Sequence, residues 1–329
     1  MHPDRDLVDR FRADLDGLID PGARIGVAVS GGPDSIALLL LAAAARPGLI
    51  EAATVDHQLR DGSGEEAAEV ASLCAKIHVP HRILPAVWKH KPRTGIQRKA
   101  REERYRLLGD WAKQNDLVAI ATGHQLDDQA ETFVMRIARG VGVNGLAGMR
   151  RVSPVPGHST MQLLRPLLGW RRDELDSICA AAGIVPAADP SNEDRKFERV
   201  RVRKALASAD LFDPEAIARS ATVLGQADIA LDWATDRVWA ENVDASDSEI
   251  VMHVEGIPGE IQRRLVRRAV RMMAREGQAT DLRGRELDVL LATLRSKRQS
   301  TLRGVLCAGG AEWRFIPAPN RTRRAADLG

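Results

Sequence analysis

The chain has 329 residues and a formal net charge of +3, with 44% hydrophobic and 28% charged residues. This length and composition are typical of a globular protein with two domains, and the sequence shows no internal repeat or low-complexity tract. Because the N-terminal residues are charged and the longest apolar run, 36–45, is short, we expect neither a secretory signal peptide nor a membrane-spanning helix.

The three cysteines, Cys74, Cys179 and Cys307, are far apart in the chain. An odd number at this spacing is compatible with neither a disulfide framework nor a CxxC metal or redox pair. Each cysteine lies among apolar residues, which favours buried packing. We therefore expect three buried thiols and a protein of the reducing cytoplasm.

The first elements of the chain predict a phosphate-binding loop. Apolar residues at helical spacing in 7–18 precede a strand-like run, 24–29, and a helix-like run follows at 35–45. Between strand and helix, glycines leave backbone N–H groups open to an anion, serines add hydroxyls and a proline presets the turn. The loop residues are Ser30, Gly31, Gly32, Pro33 and Ser35. An ordinary glycine-rich turn is the alternative if this segment is considered alone.

Asp34 sets this loop apart from the Walker A loop. The lysine of GxxxxGK[ST] is missing, and an acid lies beside the expected phosphates instead. A carboxylate there requires a cation between it and the phosphates, so the sequence predicts Mg²⁺ bound by Asp34.

The next elements predict a doubly wound parallel sheet. Strand-like runs at 49–55, 81–87 and 117–122 alternate with helix-like runs at 64–77 and 96–114. Ligands of such sheets bind beyond the carboxyl ends of the strands. Three polar segments, SGGPDS, VDHQLR and GHQLDDQAET, follow strand ends, so we expect them to form one site.

The segment 126–139 predicts a helix with acids near its start. Asp127, Asp128 and Glu131 fall beside its apolar face, and the last two are three residues apart. One or two such acids are explained by the helix dipole alone. Three acids next to a phosphate loop favour a metal or ammonium site. Upstream, Arg101 and Arg104 lie on a highly charged helix, where solvated salt bridges and phosphate neutralisation are both open.

The second half of the chain predicts a smaller, mostly helical domain. After a helix at 171–182 comes a basic run, 195–204, for which we favour phosphate contact over a solvated face. Residues 210–214 are the predicted linker. We therefore divide the chain into a nucleotide domain, 1–210, and a C-terminal domain, 211–329.

Two helices open the C-terminal domain. In 214–242 the predicted core residues are Leu224, Ile229, Leu231 and Trp233. In 260–275 an arginine stripe accompanies the apolar side, and the residues alone are compatible with a solvated face. The stripe consists of Arg264, Arg268, Arg271 and Arg275. Residues 304–316 have β character, and the tail 321–324 is basic.

The polar segments also carry a family resemblance. SGGPDS, VDHQLR, AREERY, GHQLDDQAET with RGVGVNGLAGM, RPLL and DPSNEDRKFERVRVR resemble, in this order, the motifs of the tRNA(Ile)-lysidine synthetase family. That family belongs to the N-type ATP pyrophosphatases, or PP-loop proteins. The loop alone indicates only the superfamily, whereas the ordered set is typical of the family. The chain ends early relative to some members, so we expect it to lack their additional C-terminal domain.

The resemblance implies a two-step reaction on the isoleucine tRNA with anticodon CAU. ATP adenylates the carbonyl oxygen at carbon 2 of the wobble cytidine, and the ε-amine of L-lysine then displaces AMP to give lysidine. Codon specificity changes from AUG to AUA. The implied partners are therefore this tRNA, L-lysine and ATP, with Mg²⁺; the oligomeric state stays open. In a tRNA-modifying enzyme, a track for RNA backbone explains the arginine stripe of 260–275 at least as well as a solvated face.

Matching motif positions assigns a role to each candidate residue. The resemblance implies pyrophosphate binding by Ser30, Gly31, Gly32, Pro33 and Ser35, a magnesium and phosphate role for Asp34, and adenosine binding by Val55 and His57. It implies lysine contacts by Asp128 and Glu131, and places Arg101, Arg104 and His124 near the reacting phosphate or base. Gln125 departs from the pattern, because a second histidine often follows the first.

Two other functions stay open at this point. Another PP-loop tRNA-modifying enzyme, such as a thiolase, would share the ATP loop, but it generally needs a reactive cysteine pair. A non-catalytic, nucleotide-dependent RNA-binding protein would keep the basic segments, but it has no reason to group Asp34, Asp128 and Glu131.

Overall fold

The structure is a computed structural model that describes residues 3–59, 62–88, 94–187, 196, 198–209, 211–274, 282 and 284–319. The chain divides into two compact units. We call Met1–Gly140 with Leu146–Val223 the N-terminal unit, and Val141–Gly145 with Leu224–Gly329 the C-terminal unit. The predicted linker 210–214 precedes this division, which falls at residue 223.

The N-terminal unit is built on a six-stranded sheet. Its strands are β1 (Ile25–Ala28), β2 (Ile50–Asp56), β3 (His81–Pro85), β4 (Ala119–Thr122), β5 (Val152–Val155) and β6 (His158–Leu164). Their order is β3-β2-β1-β4-β6-β5, and every neighbouring pair is parallel except β5 with β6. The predicted doubly wound parallel sheet is confirmed, with an antiparallel edge strand that the sequence pattern did not predict.

Helices cover both faces of this sheet. The helices of this unit are α1 (Arg5–Asp16), α2 (Pro33–Ala45), α3 (Ser63–Lys76), α4 (Ile96–Gln114), α5 (Leu126–Ile137), α7 (Arg172–Ala181) and α8 (Glu198–Ser208). The short α6 (Val143–Leu146) lies mostly in the segment that belongs to the C-terminal unit. Neighbouring strand residues alternate between two cores: Ala119 packs with α1, α2, α3 and α7, whereas Ile120 packs with α4. Nine of the thirteen residues of α2 are buried, and apolar side chains accordingly occur on all sides of this helix.

The C-terminal unit combines helices with a five-stranded antiparallel sheet. After α9 (Pro214–Asn242) come β7 (Val243–Ala245), β8 (Ile250–His253), α10 (Gly259–Met273), α11 (Gly284–Arg295), β9 (Gln299–Leu302), β10 (Val305–Ala308) and β11 (Glu312–Pro317). The strand order is β7-β8-β11-β10-β9. The sequence predicts β character only in 304–316, because strands of three or four residues are too short to show an alternating pattern.

The core prediction for α9 is wrong at two positions. Ile229 is 57% exposed and Trp233 63% exposed, whereas Leu231 is partly buried. Ile229 and Trp233 are one helical turn apart and share an outward face, and the Arg237 guanidinium lies 5.2 Å from the Trp233 ring centre. The buried side of α9 instead carries the polar residues Asp228 and Thr235.

The three cysteines are buried, as predicted. Among the described residues, no helix is both long and apolar enough to cross a membrane.

Candidate active site in the N-terminal unit

The loop between β1 and α2 is closed by the Ser35 hydroxyl. Its Oγ atom accepts hydrogen bonds from the Ser30 backbone N–H at 3.1 Å and the Ser30 hydroxyl at 3.2 Å, and it donates to Gly32 O at 2.9 Å. Gly31 has φ +88°, in the left-handed region that glycine adopts without strain. Gly32 precedes α2, and no side chain caps this helix start, which suits binding of an anion such as phosphate.

Two distant segments contact the loop. A Cβ atom on Gly123, in the turn between β4 and α5, would lie 2.9 Å from the carbonyl carbon and oxygen of Asp34, so only glycine lets these backbones approach so closely. Ala187 donates its backbone N–H to Gly31 O at 3.1 Å. The first contact brings the phosphate loop against the turn that leads into α5.

Asp34, in the first turn of α2, has a buried carboxylate oxygen with no hydrogen-bond partner. Its Oδ1 atom is shielded from solvent, and no described residue donates to it. Burial raises the pKa of Asp34 to about 7, with a further contribution from the negative charge of Asp128. An unpaired buried carboxylate is suited to a bound cation, which would favour its ionised form.

Helix α5 begins with a capping box. The buried Gln125 side chain accepts from the backbone N–H groups of Asp127 and Asp128, and Asp128 Oδ2 accepts from the Gln125 N–H at 3.3 Å. Gln125, the departure from the family pattern, therefore acts as a helix cap. Asp127 Oδ2 accepts from the Arg172 N–H at 3.0 Å at the start of α7. Two of the three predicted acids thus have structural roles, Asp128 within the helix cap and Asp127 towards α7, and the charge of Asp128 also acts on Asp34.

Glu131, one turn along α5, is enclosed by three arginines. Its side chain is almost fully buried, and its Oε1 accepts from Arg203 Nε at 2.7 Å and from Arg172 at 3.2 Å. Its Oε2 lies 3.5 Å from Arg199 Nε. The positive charges that surround this carboxylate come from α7 and α8, so Glu131 joins three helices at the site.

The basic run of α8 has two sides. Arg199 and Arg203 face Glu131, whereas Arg201 and Lys204 are exposed. One side of the run therefore pairs with a buried acid, and phosphate contact by the run stays a prediction. Residues 188–195 and 197, which include most of the DPSNEDRKF motif, lie outside the described residues.

His124 follows β4 and lies among arginines. Its Nδ1 atom is 2.9 Å from the Thr122 hydroxyl. Burial lowers the pKa of His124 to about 3, helped by four positive charges nearby. These charges belong to Arg165, Arg101, Arg199 and Arg104. The ring is therefore neutral at physiological pH, and the predicted residues His124, Arg101 and Arg104 are brought together.

The end of β2 carries Val55 and His57, the residues predicted to bind adenosine. Both ring nitrogens of His57 are buried without a hydrogen-bond partner, and burial lowers the pKa of His57 to about 4, with Arg104 contributing. Trp88 Nε1 donates to the His57 carbonyl oxygen at 2.7 Å. Val55 is half-buried and pairs with Leu84 of β3. An aromatic base would supply the polar partners that the His57 ring lacks.

Arg101 and Arg104 lie on the exposed side of α4. The Arg101 guanidinium is 4.9 Å from the ring centre of the buried Tyr105, which supports it by a cation–π contact. Arg165 is buried and directly follows β6. Its guanidinium donates a hydrogen bond to the Arg150 carbonyl oxygen at 2.6 Å.

The sequence pattern did not identify Arg172, Arg165 or Trp88 as site residues. Arg165 begins the RPLL motif, and Arg172 follows seven residues later, so their position after a strand was the available signal. Trp88 had none.

We expect His124 and His57 to make the N-terminal unit less stable as the pH falls below 6.5, the ordinary pKa of histidine, while Asp34 with its raised pKa contributes in the opposite direction. The folded pKa values of His124 and His57 are about 3 and about 4, so in this range the unfolded chain binds protons that the folded chain does not. This loss is complete once the pH falls below the folded values.

Thermal unfolding from about pH 7.5 to about pH 4.5 measures this effect. His124→Gln should show a smaller fall in Tm than the wild type, and His253→Gln, in the C-terminal unit, serves as the control. Equal falls in the His124 variant and the wild type would contradict the assignment.

The residues at this site fit a magnesium ion bound together with phosphates. Among the described residues, no group of three or more His, Cys, Asp or Glu side chains could hold a metal by itself. Mg²⁺ in nucleotide sites usually binds one or two carboxylates and substrate phosphates. The unpaired Asp34 oxygen beside the phosphate loop meets that requirement.

Comparison with known proteins finds a matching family model and similar proteins that share one name. A family model described as the PP-loop domain matches residues 7–209. A tRNA(Ile)-lysidine synthase of Novosphingobium aromaticivorans is 44% identical, over 97% of this chain and 96% of that protein. Another, from Ruegeria pomeroyi, is 39% identical over 94% of this chain and 74% of that protein.

Solved structures are similar in fold. The U34-tRNA thiolase NcsA from Methanococcus maripaludis, with its 4Fe-4S cluster, matches with a TM-score of 0.58 at 15% identity. The match covers 68% of this chain and 79% of that chain. At this identity the likeness concerns the α/β PP-loop fold alone.

Proposed function

The chain belongs to the tRNA(Ile)-lysidine synthase family of PP-loop proteins, and from this premise we propose how its residues carry out the reaction. It is an ATP-using ligase that forms lysidine in tRNA(Ile). The observation that carries the assignment of roles is the approach of two segments: the backbone of Gly123, in the turn that leads into α5, packs directly against that of Asp34, whose buried Oδ1 atom has no hydrogen-bond partner.

The first proposed step is adenylation of the wobble cytidine of the CAU anticodon. The carbonyl oxygen at carbon 2 attacks the α-phosphorus of ATP, and the bond to pyrophosphate breaks. Ser30, Gly31, Gly32 and Ser35 bind the departing pyrophosphate at the start of α2, where the helix dipole favours its charge. Pro33 holds this turn. Asp34 would bind Mg²⁺, which neutralises phosphate charge when it is present.

The second proposed step is attack by L-lysine. Its ε-amine forms a bond to carbon 2, the carbon–oxygen bond to AMP breaks, and a proton leaves the nitrogen. Asp128 orients the amine and accepts that proton. Glu131 is our second proposed lysine contact. Because Arg172, Arg199 and Arg203 occupy its oxygens, lysine binding there requires a guanidinium to turn away.

The remaining roles concern ATP and tRNA. We propose that Val55 and the unpaired His57 ring bind adenosine, and that Arg101, Arg104 and the neutral His124 lie beside the reacting phosphate or base. Positive groups there would neutralise the charge that builds up during adenylation.

We also propose the division of labour along the chain. Residues 1–210 form the ATP pyrophosphatase domain, and residues 211–329 bind tRNA. The reaction would take place in the cytoplasm, where tRNA and ATP are present.

The two other functions lack support. Burial raises the pKa values of Cys74 and Cys307 to about 12 and that of Cys179 to about 11, so none of these thiols is activated for sulfur transfer. A protein that only binds RNA would gain nothing from an unpaired buried carboxylate, which costs stability.

The direct test uses the full chain with ATP, Mg²⁺, radiolabelled lysine and a tRNA(Ile) transcript that carries the CAU anticodon. We expect label in the tRNA and release of AMP and pyrophosphate. The methionine tRNA with the same anticodon is the control. No label in tRNA(Ile) would contradict the lysidine assignment.

Asp128→Asn should separate the two steps. We expect lysine transfer to fall by about a hundredfold, because the amine loses its proton acceptor, while adenylation falls less. Pyrophosphate release without lysine and AMP release with lysine measure the steps. Asp127→Asn is the matched control, since Asp127 contacts the Arg172 N–H. Equal loss of both steps in Asp128→Asn would contradict this role.

A further inference from the structure

Buried polar clusters outside the active site occur in both units. In the C-terminal unit, Arg264 is 6% exposed and donates to the carboxylates of Asp228 at 2.7 Å and Asp232 at 2.5 Å. Arg264 thus belongs to a structural cluster, which corrects its place in the predicted arginine stripe. Arg275, the last member of that stripe, lies outside the described residues. The cluster of the N-terminal unit, around Trp170, differs because it contacts the first residue of α5.

Trp170 lies between β6 and α7, and its side chain is fully buried. Its backbone carbonyl oxygen accepts the N–H of Leu126, the first residue of α5, at 2.9 Å. The N–H groups in the first turn of a helix have no partner within the helix. The Gln125 side chain accepts the next two N–H groups of α5. Together these two acceptors fix the start of the helix that carries Asp128 and Glu131.

The Trp170 ring is held by α1. Its Nε1 atom donates to Asp14 Oδ2 at 3.0 Å, and the Arg10 guanidinium lies 4.0 Å from the centre of the ring. The Phe11 ring packs edge-on against it, with ring centres 6.5 Å apart. The other carboxylate oxygen of Asp14 accepts from Arg151 at 2.7 Å. Helix α1 therefore fixes the position of a residue that contacts α5.

Arg10 extends the contact of α1 to the start of α7. Its guanidinium donates to Glu174 Oε1 at 2.6 Å, and Glu174 Oε2 accepts the Arg171 N–H at 2.7 Å in the cap of α7. The next residue, Arg172, is one of the arginines that pair with Glu131. The same helix thus supports the starts of both helices that meet at Glu131.

We propose that Trp170, held by Asp14, is a positioning residue for lysine transfer, because it fixes the start of α5 and with it the place of Asp128. The inference rests on the proposed function and adds to it a support on α1. Adenylation uses the loop between β1 and α2, whose closing bonds to Ser35 span at most five residues. A displaced α5 therefore slows the second step more than the first.

The indole bond to Asp14 matters because the ring and the carbonyl oxygen belong to the same residue. Without its acceptor, the buried indole N–H is unpaired, which costs free energy unless the ring or the backbone moves. Movement of Trp170 displaces the acceptor of the Leu126 N–H. A displacement of about 1 Å at reacting groups can lower a rate by about a hundredfold, so a smaller shift of α5 should cost roughly tenfold.

The first test removes the acceptor of the indole. We expect Asp14→Leu to lower lysine transfer, measured as lysine-dependent AMP release, by roughly tenfold, while pyrophosphate release without lysine stays within about twofold of the wild type. Asp16→Leu is the matched control, because it breaks an ion pair of the same helix with Arg46, whose side chain is 3% exposed. This control should keep both steps within about twofold of the wild type. Equal loss of both steps in Asp14→Leu, or equal loss of lysine transfer in the two variants, would overturn the positioning role.

Asp14→Asn separates the indole bond from the ion pair. Asparagine keeps an oxygen that accepts from Trp170 Nε1 but removes the charge that faces Arg151. We expect lysine transfer within about threefold of the wild type, since one hydrogen bond replaces another. A loss as large as in Asp14→Leu would overturn the indole bond as the cause.

Hydrogen exchange tests the position of α5 without any substrate. The Leu126 amide, bonded to the Trp170 carbonyl oxygen, should exchange about tenfold faster in Asp14→Leu than in Asp16→Leu. If the wild-type chain transfers no lysine to tRNA(Ile), the proposed function fails, whereas faster exchange at Leu126 still supports the positioning of α5. Equal exchange at Leu126 in the two variants would overturn the positioning role by itself.

Discussion

Replacing Asp34 with asparagine should lower tRNA-dependent pyrophosphate release by about a thousandfold. Asparagine keeps the size of the side chain but removes the charge that the cation and the phosphates require. Release of radiolabelled pyrophosphate measures this step. Asp176→Asn is the matched control, because Asp176 on α7 is close enough to raise the pKa of Asp34 but is itself exposed. Activity within about tenfold of the wild type in Asp34→Asn would contradict the role of Asp34.

Asp34→Asn should be more stable than the wild type at high pH. The folded pKa of Asp34 is about 7 and its ordinary value is 3.8, so the wild type loses stability as the pH rises through about 7, when the buried group ionises. Asparagine removes this loss. Tm measured in magnesium-free buffer at about pH 6 and about pH 8.5 should therefore diverge between the two proteins. This result also shows that the inactive variant is folded.

Arg264→Met should destabilise the C-terminal unit by about 3–5 kcal/mol. The change removes the cation that pairs with the fully buried Asp228 and leaves a buried carboxylate without its main partner. Hydrogen exchange of α9 and α10 amides at increasing urea concentration measures the loss locally.

Two further variants show whether the buried charge or packing causes the loss of stability in Arg264→Met. Arg268→Met removes the exposed ion pair with Asp236, also between α10 and α9, and should cost no more than about 1 kcal/mol. Arg264→Met/Asp228→Leu replaces both buried charges and should recover most of the lost stability. A double variant as unstable as Arg264→Met would show that packing, and not the buried charge, dominates.

Local chemistry explains what could be predicted from the sequence. The phosphate loop is a strand, a glycine turn and a helix start within a dozen residues, and its closure by Ser35 involves partners at most five residues apart. The grouping of Asp34 with Asp128 could also be predicted, because parallel strands present their carboxyl ends at one edge.

Long-range pairing explains what could not be predicted. In the sequence, Glu131 has the pattern of an exposed acid beside an apolar stripe, but its partners lie 41 and 72 residues further along the chain. Arg264 has the pattern of one member of an arginine stripe, and only the fold brings it to Asp228, 36 residues earlier. In both cases a charge is buried because of a partner that no local pattern identifies.

The division of the chain at residue 223 falls inside α9, and the short segment Val141–Gly145 is grouped with the C-terminal unit. The two units are therefore not separable by a single cut in a loop. A truncation at residue 223 would end within a helix and would leave Asn144 without Asp228. Exchange of C-terminal units between relatives would have to transfer residues 141–145 together with residues 224–329. Recombination between family members should thus succeed only when both pieces come from the same parent.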